Sequence, residues 1–196
     1  MADKQKIVGF DLDDVLLDFN GTLLEWHNKK YGTKTLLKDL TVYGYEEIWQ
    51  SPTEEVVRKV FEFYNSQEHA AARPMDGAIE GIQKIKKDNR LFIITSKPDT
   101  FREIMNAWIQ KNFPNTFEEI YFTNQFHGIG IQTTKIDLCK KLGIEIFIDD
   151  ALHNAKNIAE NGIPVLLLDS PWNQATTETP ITRVHSWNEI VQKLTE

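Results

Sequence analysis

The sequence predicts an α/β fold, a doubly wound parallel sheet with a small helical segment inserted after the first strand. Three observations carry this reading. Short apolar runs recur along the 196 residues, each the length of a strand buried on both faces. Helical periodicity lies between them, as parallel strands require, because a parallel pair needs a long crossover connection. One stretch, from about Asp18 to Ala72, is far too long for a single crossover and reads as helix and loop alone.

The strand runs are Ile7 to Phe10, Leu91 to Ile94, Ile120 to Phe122, Ile144 to Ile148 and Val165 to Leu168. Between them, Ala78, Ile79, Ile82 and Ile85 share one helical face, as do Phe101, Ile104, Met105 and Trp108. Ile136, Cys139 and Leu142 form a third stripe, stopped by Gly143. Within the long stretch, a helix is expected from Phe19 to Tyr31 with Gly32 as its stop. Ser51-Pro52-Thr53-Glu54 reads as a capping box with proline at the first helical position, which predicts a second helix from Pro52 to about Asn65. A further capping box, Ser186-Trp187-Asn188-Glu189, opens a C-terminal helix. The expected organisation is a core of residues 1–17 and 73–196 and a helical cap of residues 18–72.

Composition narrows the function. With 41% hydrophobic and 26% charged residues the chain falls among ordered soluble domains rather than disordered ones. Its 22 basic and 29 acidic residues give a net charge of −7 with no basic stripe, which argues against a nucleic-acid polymer as partner. No apolar segment is long enough for a signal peptide or a membrane span, so a cytoplasmic location and no membrane partner are expected. The single Cys139 sits on an apolar helical stripe and reads as a buried structural thiol. The five histidines show neither metal-ligand spacing nor a catalytic partner and read as surface or packing residues. The oligomeric state stays open, a homodimer included.

The chemistry-bearing residues gather where strands end, which is where open parallel sheets bind ligands. The first strand runs into Asp11-Leu12-Asp13-Asp14, and alternation in an extended chain starts Asp11 and Asp13 on the same side. The fourth apolar run ends in Asp149-Asp150. Five carboxylates at neighbouring strand ends need a counter-charge. An all-oxygen donor set with few His or Cys nearby points to Mg2+ rather than zinc. Thr95-Ser96, after the second strand, offers hydroxyl donors to phosphate oxygens. Lys135 opens a helix, a place the helix dipole disfavours for a cation, which suggests a functional reason for it.

Taken in order, these residues resemble the four motifs of the haloacid dehalogenase superfamily of phosphatases. The resemblance implies that Asp11 attacks phosphorus to form an aspartyl-phosphate and that Asp13 acts as acid and then base. It also implies that Thr95, Ser96 and Lys135 hold the phosphoryl oxygens. The resemblance further implies that Mg2+ binds Asp11, the Asp13 backbone carbonyl and an acid of the last motif, with Asp150 favoured and Asp149 in support, a pair that the sequence does not divide. A closer likeness, through Asp11 to Leu16, Asp18-Phe19, Pro74 to Ala78, Phe92 to Ser96, Ile146 to Asp150 and Trp187 to Ile190, is to the 5′(3′)-deoxyribonucleotidases. That family implies a helical cap shaping a nucleoside pocket, with Phe19 at a substrate-contacting position. Asp14 departs from the pattern, which has glycine there. The expected function is a Mg2+-dependent phosphomonoesterase, a 5′-nucleotidase acting on (deoxy)nucleoside monophosphates.

The cap adds evidence of its own, since residues 19–64 hold nine aromatic residues, flat surfaces of the kind that stack on a base. Pro171-Trp172-Asn173, after the fifth strand, is a candidate rim element. Two readings compete. A phosphatase of the same superfamily acting on a sugar phosphate would share every catalytic residue and differ only in the cap. A receiver-like phosphoacceptor module also carries acids, a Thr/Ser and a Lys on such a sheet, but its acidic pair and its acceptor lie on different strands and it has no helical insertion.

Overall fold

The computed structural model describes residues 5–195. Six parallel strands form one sheet: β1 (Lys6–Phe10), β2 (Asn89–Thr95), β3 (Glu119–Phe122), β4 (Ile146–Asp149), β5 (Val165–Leu168) and β6 (Ile181–Val184), in the order β3-β2-β1-β4-β5-β6. The order reverses beside β1, so the carboxyl ends of β1 and β4 meet at the switch point where such sheets hold their ligands. The five expected strands are present. β6 is an addition: its Ile181-Thr182-Arg183-Val184 buries only its two ends, too weak a pattern to stand out. Ile144 is not in β4 but in the turn before it, where its N–H bonds Cys139 O.

Nine helices accompany the strands among the described residues. α1 (Phe19–Tyr31), α2 (Glu46–Trp49), α3 (Thr53–Tyr64) and α4 (Gln67–Ala70) lie between β1 and α5 (Ala78–Ile85). α6 (Arg102–Asn112), α7 (Lys135–Leu142), α8 (Leu152–Glu160) and α9 (Trp187–Thr195) follow later strands. The segment between Asp18 and Ala72 carries no strand, as expected. α1 is capped by the Asp18 carboxylate on Gly21 N–H and ends at left-handed Gly32. The Ser51 capping box does not form: Pro52 is itself the residue before the helix, and Ser51 Oγ donates to Trp49 O instead. At α9 the box is shifted, with Ser186 Oγ accepting from Glu189 N–H while the Glu189 carboxylate reaches His185 N–H.

Alternation along β2 feeds two apolar layers. Leu91 and Ile93 join Phe10, Leu12, Trp108, Trp187 and Ile190 on one face; Phe92 and Ile94 join Phe147, Cys139 and Ile158 on the other. Gly9 makes the second layer possible, because a Cβ there would stand 2.5 Å from the Phe147 ring. The first layer runs on without a break into Leu23, Trp26, Val60 and Phe63 of the helical segment. The two passages between segment and sheet are fastened to each other: Leu17 bridges Pro74, Asp18 N–H donates to Arg73 O at 2.9 Å, and Met75 N–H donates to Leu16 O at 2.8 Å.

Candidate active site

Asp11 stands one residue beyond β1, with its N–H bonded to Ile148 O of β4 at 2.8 Å. Its carboxylate divides its work. Oδ1 accepts the Leu12 N–H at 2.8 Å, and Oδ2 lies 2.9 Å from Lys135 Nζ. Burial raises the Asp11 carboxyl to about 6, with Lys135 pulling it down and Asp149 pushing it up. Lys135 is the first residue of α7, and its Nζ also lies 2.8 Å from Asp149 Oδ2. Burial works against that ammonium, but Asp11 and Asp149 outweigh it and raise its pKa. The two carboxylates thus account for a cation at a helix N-terminus.

Asp13, two residues on, is half-buried at the cleft. Its Oδ2 accepts from Lys97 Nζ at 2.8 Å, while its buried Oδ1 has no protein partner among the described residues. Burial raises Asp13 and lowers Lys97, and the attraction between them opposes both shifts. The Lys97 ammonium also lies over the rings of Phe19 (4.3 Å) and Tyr64 (4.2 Å). Sequence reasoning missed Lys97. Its one signal is that it directly follows Thr95-Ser96 at the end of β2. Thr95, buried, accepts the Lys97 N–H on its Oγ1 at 3.2 Å, and both Thr95 and Ser96 line the cleft.

Asp149 closes β4 with both oxygens engaged, Oδ2 by Lys135 and Oδ1 by Ala151 N–H at 2.8 Å. Asp150 lines the cleft, and its Oδ2 accepts from Trp172 Nε1 at 2.7 Å; Asn173 Nδ2 holds its backbone oxygen at 2.7 Å. Burial, then Asp14 and Asp149, raise Asp150 well above the usual carboxylate range. Of Pro171-Trp172-Asn173, Trp172 is therefore a wall of the site, with Asn173 bracing Asp150 from behind. Asp11, Asp149 and Asp150 each offer an oxygen, all within 4.8 Å of one another. Such a buried, all-oxygen set suits a hard divalent cation.

The cleft encloses about 850 Å3, counting the part open to solvent. Asp11, Asp13, Asp14, Thr95, Ser96 and Asp150 form its floor; Phe19, Tyr43, Tyr45, Tyr64, Phe126 and Trp172 supply aromatic walls. Lys135 and Asp149 are not in the lining but stand behind Asp11. Phe19 is 6% exposed, packed edge-on against Phe63 at 5.4 Å, so only a small part of its ring meets the cleft. Trp187 Nε1 donates to Val15 O at 2.9 Å and so holds the loop that follows Asp13. This indole sits tightly on α5, where a Cβ at Gly81 would meet it at 2.6 Å. Cys139 is buried beneath the sheet, and burial pushes its thiol up to about 12, which rules it out as a nucleophile.

Residues 5–195 match the family described as 5′ nucleotidase, deoxy (Pyrimidine), cytosolic type C protein. The chain belongs to this family. A protein of Halalkalibacterium halodurans, provisionally named a nucleotidase, is 30% identical over 190 residues, covering 95% of this chain and 91% of the relative. A nucleotidase of Clostridium acetobutylicum is 22% identical over 183 residues, covering 90% and 91%. Among solved structures, the haloacid dehalogenase-like hydrolase SP0104 of Streptococcus pneumoniae superposes with a TM-score of 0.69 at 16% identity, over 96% of this chain and 98% of that one. The hydrolase YfnB of Bacillus subtilis, solved with magnesium, gives 0.65 at 15% identity over 98% and 100%. The sheet is that of the haloacid dehalogenase fold. No helix among the described residues is long and apolar enough to cross a membrane.

Proposed function

We propose that the protein is a Mg2+-dependent phosphomonoesterase that hydrolyses nucleoside monophosphates through an aspartyl-phosphate on Asp11. The observation that carries this is the joint placement of Asp11 and Asp13 on the floor of one cleft whose walls are aromatic. In the first step an Asp11 oxygen forms a bond to phosphorus while the bond to the ester oxygen breaks, and Asp13 gives that oxygen its proton. In the second step the Asp13 carboxylate takes a proton from water, the water oxygen bonds phosphorus, and the bond to Asp11 breaks to release phosphate.

Thr95 and Ser96 would orient the phosphoryl oxygens. Lys135 acts through Asp11, holding its carboxylate in place and offsetting negative charge as the phosphoryl group arrives. Mg2+ would be held by Asp11, the Asp13 carbonyl and Asp150, and when bound would supply positive charge to the phosphoryl oxygens. Asp150 suits direct ligation because it lines the cleft, whereas both Asp149 oxygens are already engaged by Lys135 and Ala151. The resident magnesium of the YfnB structure supports the choice of ion. Residues 18–72 would act as the cap that admits and grips the nucleoside, and its lining fits a flat base against Tyr43, Tyr45 and Tyr64.

The test is a screen of phosphomonoesters with Mg2+ and with a chelator. Nucleoside monophosphates should give the highest kcat/KM, and every activity should vanish without metal. A preference for hexose phosphates would refute the nucleotidase reading, and full activity after exhaustive chelation would refute the metal.

A further inference from the structure

Asp14 adopts φ +53°, a left-handed conformation that L side chains pay to adopt and that glycine adopts freely. The carboxylate is 5% exposed and acidic residues surround it, so neither backbone preference nor electrostatics explains its presence. Its hydrogen bonds do. Oδ1 accepts the Asn20 N–H at 2.9 Å, near the start of α1, and Oδ2 accepts Asn20 Nδ2 at 2.7 Å. With Nδ2 committed to Asp14, the Asn20 amide oxygen is turned the other way. There it accepts the Tyr45 hydroxyl. The Tyr45 ring is stacked on Trp49 at 4.7 Å, and Trp49 on His27 at 4.1 Å.

From this relay we infer that Asp14 is a positioning residue for the nucleoside end of the cleft, fixing the Tyr45 ring in the wall before any ligand arrives. The inference rests on the nucleotidase reading above. Asp14, Asn20 and Tyr45 all line the cleft, so one rigid chain of contacts runs from the residue beside Asp13 to an aromatic wall. A ring already held by a stack on one face and by its hydroxyl loses little freedom when a base packs on it, which lowers the cost of binding. Without Asp14, Asn20 can rotate and the hydroxyl loses its fixed acceptor. The effect belongs to the nucleoside and not to the phosphate, so it should appear in the KM of substrates that carry a base.

Steady-state kinetics on a nucleoside monophosphate and on p-nitrophenyl phosphate test this. Asp14→Gly suits the backbone and should fold. It is expected to raise the nucleotide KM about tenfold relative to the aryl phosphate KM, the effect of losing one hydrogen bond in a buried network, with the kcat ratio little changed. Tyr45→Phe should give a similar shift, and the double variant should be no worse than either single one, since both cut the same chain. Asp14→Asn should rescue, because asparagine tolerates the left-handed backbone and can run the relay with its donors reversed. An unchanged KM ratio in Asp14→Gly, or additive effects in the double variant, would overturn the inference while the nucleotidase reading stood. A wild-type enzyme inactive on every nucleotide would overturn both. A crystal structure of Asp14→Gly decides the geometry independently: the Tyr45 ring should leave its stack on Trp49, and an unmoved ring would count against the relay whatever the substrate.

Discussion

Replacing Lys135 with alanine removes the ammonium that lies 2.9 Å from Asp11 and 2.8 Å from Asp149. Asp150 has an oxygen within 4.8 Å of oxygens of both those carboxylates and also feels the lysine's charge, so three buried carboxylates lose a nearby protein counter-charge. Removing one partner of a buried ion pair costs about 3–5 kcal/mol. In a chain of this length each kcal/mol corresponds to roughly 2–4 °C, which gives a melting temperature lower by about 6–20 °C in chelator.

Two responses of the molecule shape that loss. The first is protonation. Burial already lifts Asp11 to about 6, and Lys135 is what restrains it. A carboxyl whose folded pKa lies above its unfolded value destabilises the fold at high pH and is relieved as pH falls through the folded pKa. Lowering the pH from 8 to 6 should therefore restore more stability to Lys135→Ala than to the wild type. The second is cation binding, which stabilises by mass action and meets less repulsion once the lysine is gone. Thermal melts in chelator and in millimolar MgCl2, at both pH values, measure all three quantities. Equal melting temperatures for variant and wild type in chelator at pH 8 would refute the argument. So would a smaller magnesium-induced gain in the variant.

Asp11→Asn should abolish turnover of every phosphomonoester with the circular dichroism spectrum unchanged, because the amide keeps the shape without the nucleophile; a phosphorylated aspartate trapped in that variant would show the wrong residue was chosen. Phe19→Ala should reduce the nucleotide-over-aryl-phosphate ratio of kcat/KM severalfold and, given its contacts with Phe63, Tyr64 and His69, cost about 3–5 kcal/mol in urea unfolding; an unaltered ratio would remove it from the pocket. His69 is fully buried, its Nδ1 donating to Tyr64 O at 3.1 Å, and burial lowers its pKa to about 2. The unfolded chain therefore takes up the proton first as pH falls below about 6.5, and between pH 7.5 and 5 the wild type should lose about 2 kcal/mol more stability than His69→Asn. Parallel pH profiles in urea unfolding would contradict this.

Much of this architecture was legible because its signals are local. Val165 to Leu168 is apolar throughout and can only be a buried strand, and Asp11, Asp13, Asp149 and Asp150 announce themselves by following such runs. What stayed hidden depends on contacts distant in the chain. Lys97 looks like any lysine in a βα turn; its burial follows from Asp13, 84 positions away, and from two rings in the helical segment. The partners of Lys135 were equally unreadable, because the motif places it near the phosphate while the packing sets it behind Asp11. Tyr45 and Asn20 needed the fold to bring them together. The Ser51 box failed for a local reason, in that the Ser51 hydroxyl found the Trp49 carbonyl before the helix amides. β6 escaped because an edge strand of four residues with Thr and Arg at its centre carries no period.

The clasp at Leu17 and Pro74 bears on how such a protein can diversify. Because the outgoing and returning chains are already paired where they leave the sheet, whatever lies between them is a loop closed at its base, packed on the core only through its buried faces. Lengthening or rebuilding that loop changes closure entropy only slowly with its size, and the strand ends bearing Asp11 and Asp150 need not shift to accommodate it. The cleft-lining residues of this segment, such as Tyr43 and Tyr45, can then be rewritten while Asp11 and Asp150 keep their places. Conversely, drift in the clasp itself, at Leu17 or Pro74, should be far less tolerated than drift at the exposed positions of the loop it secures.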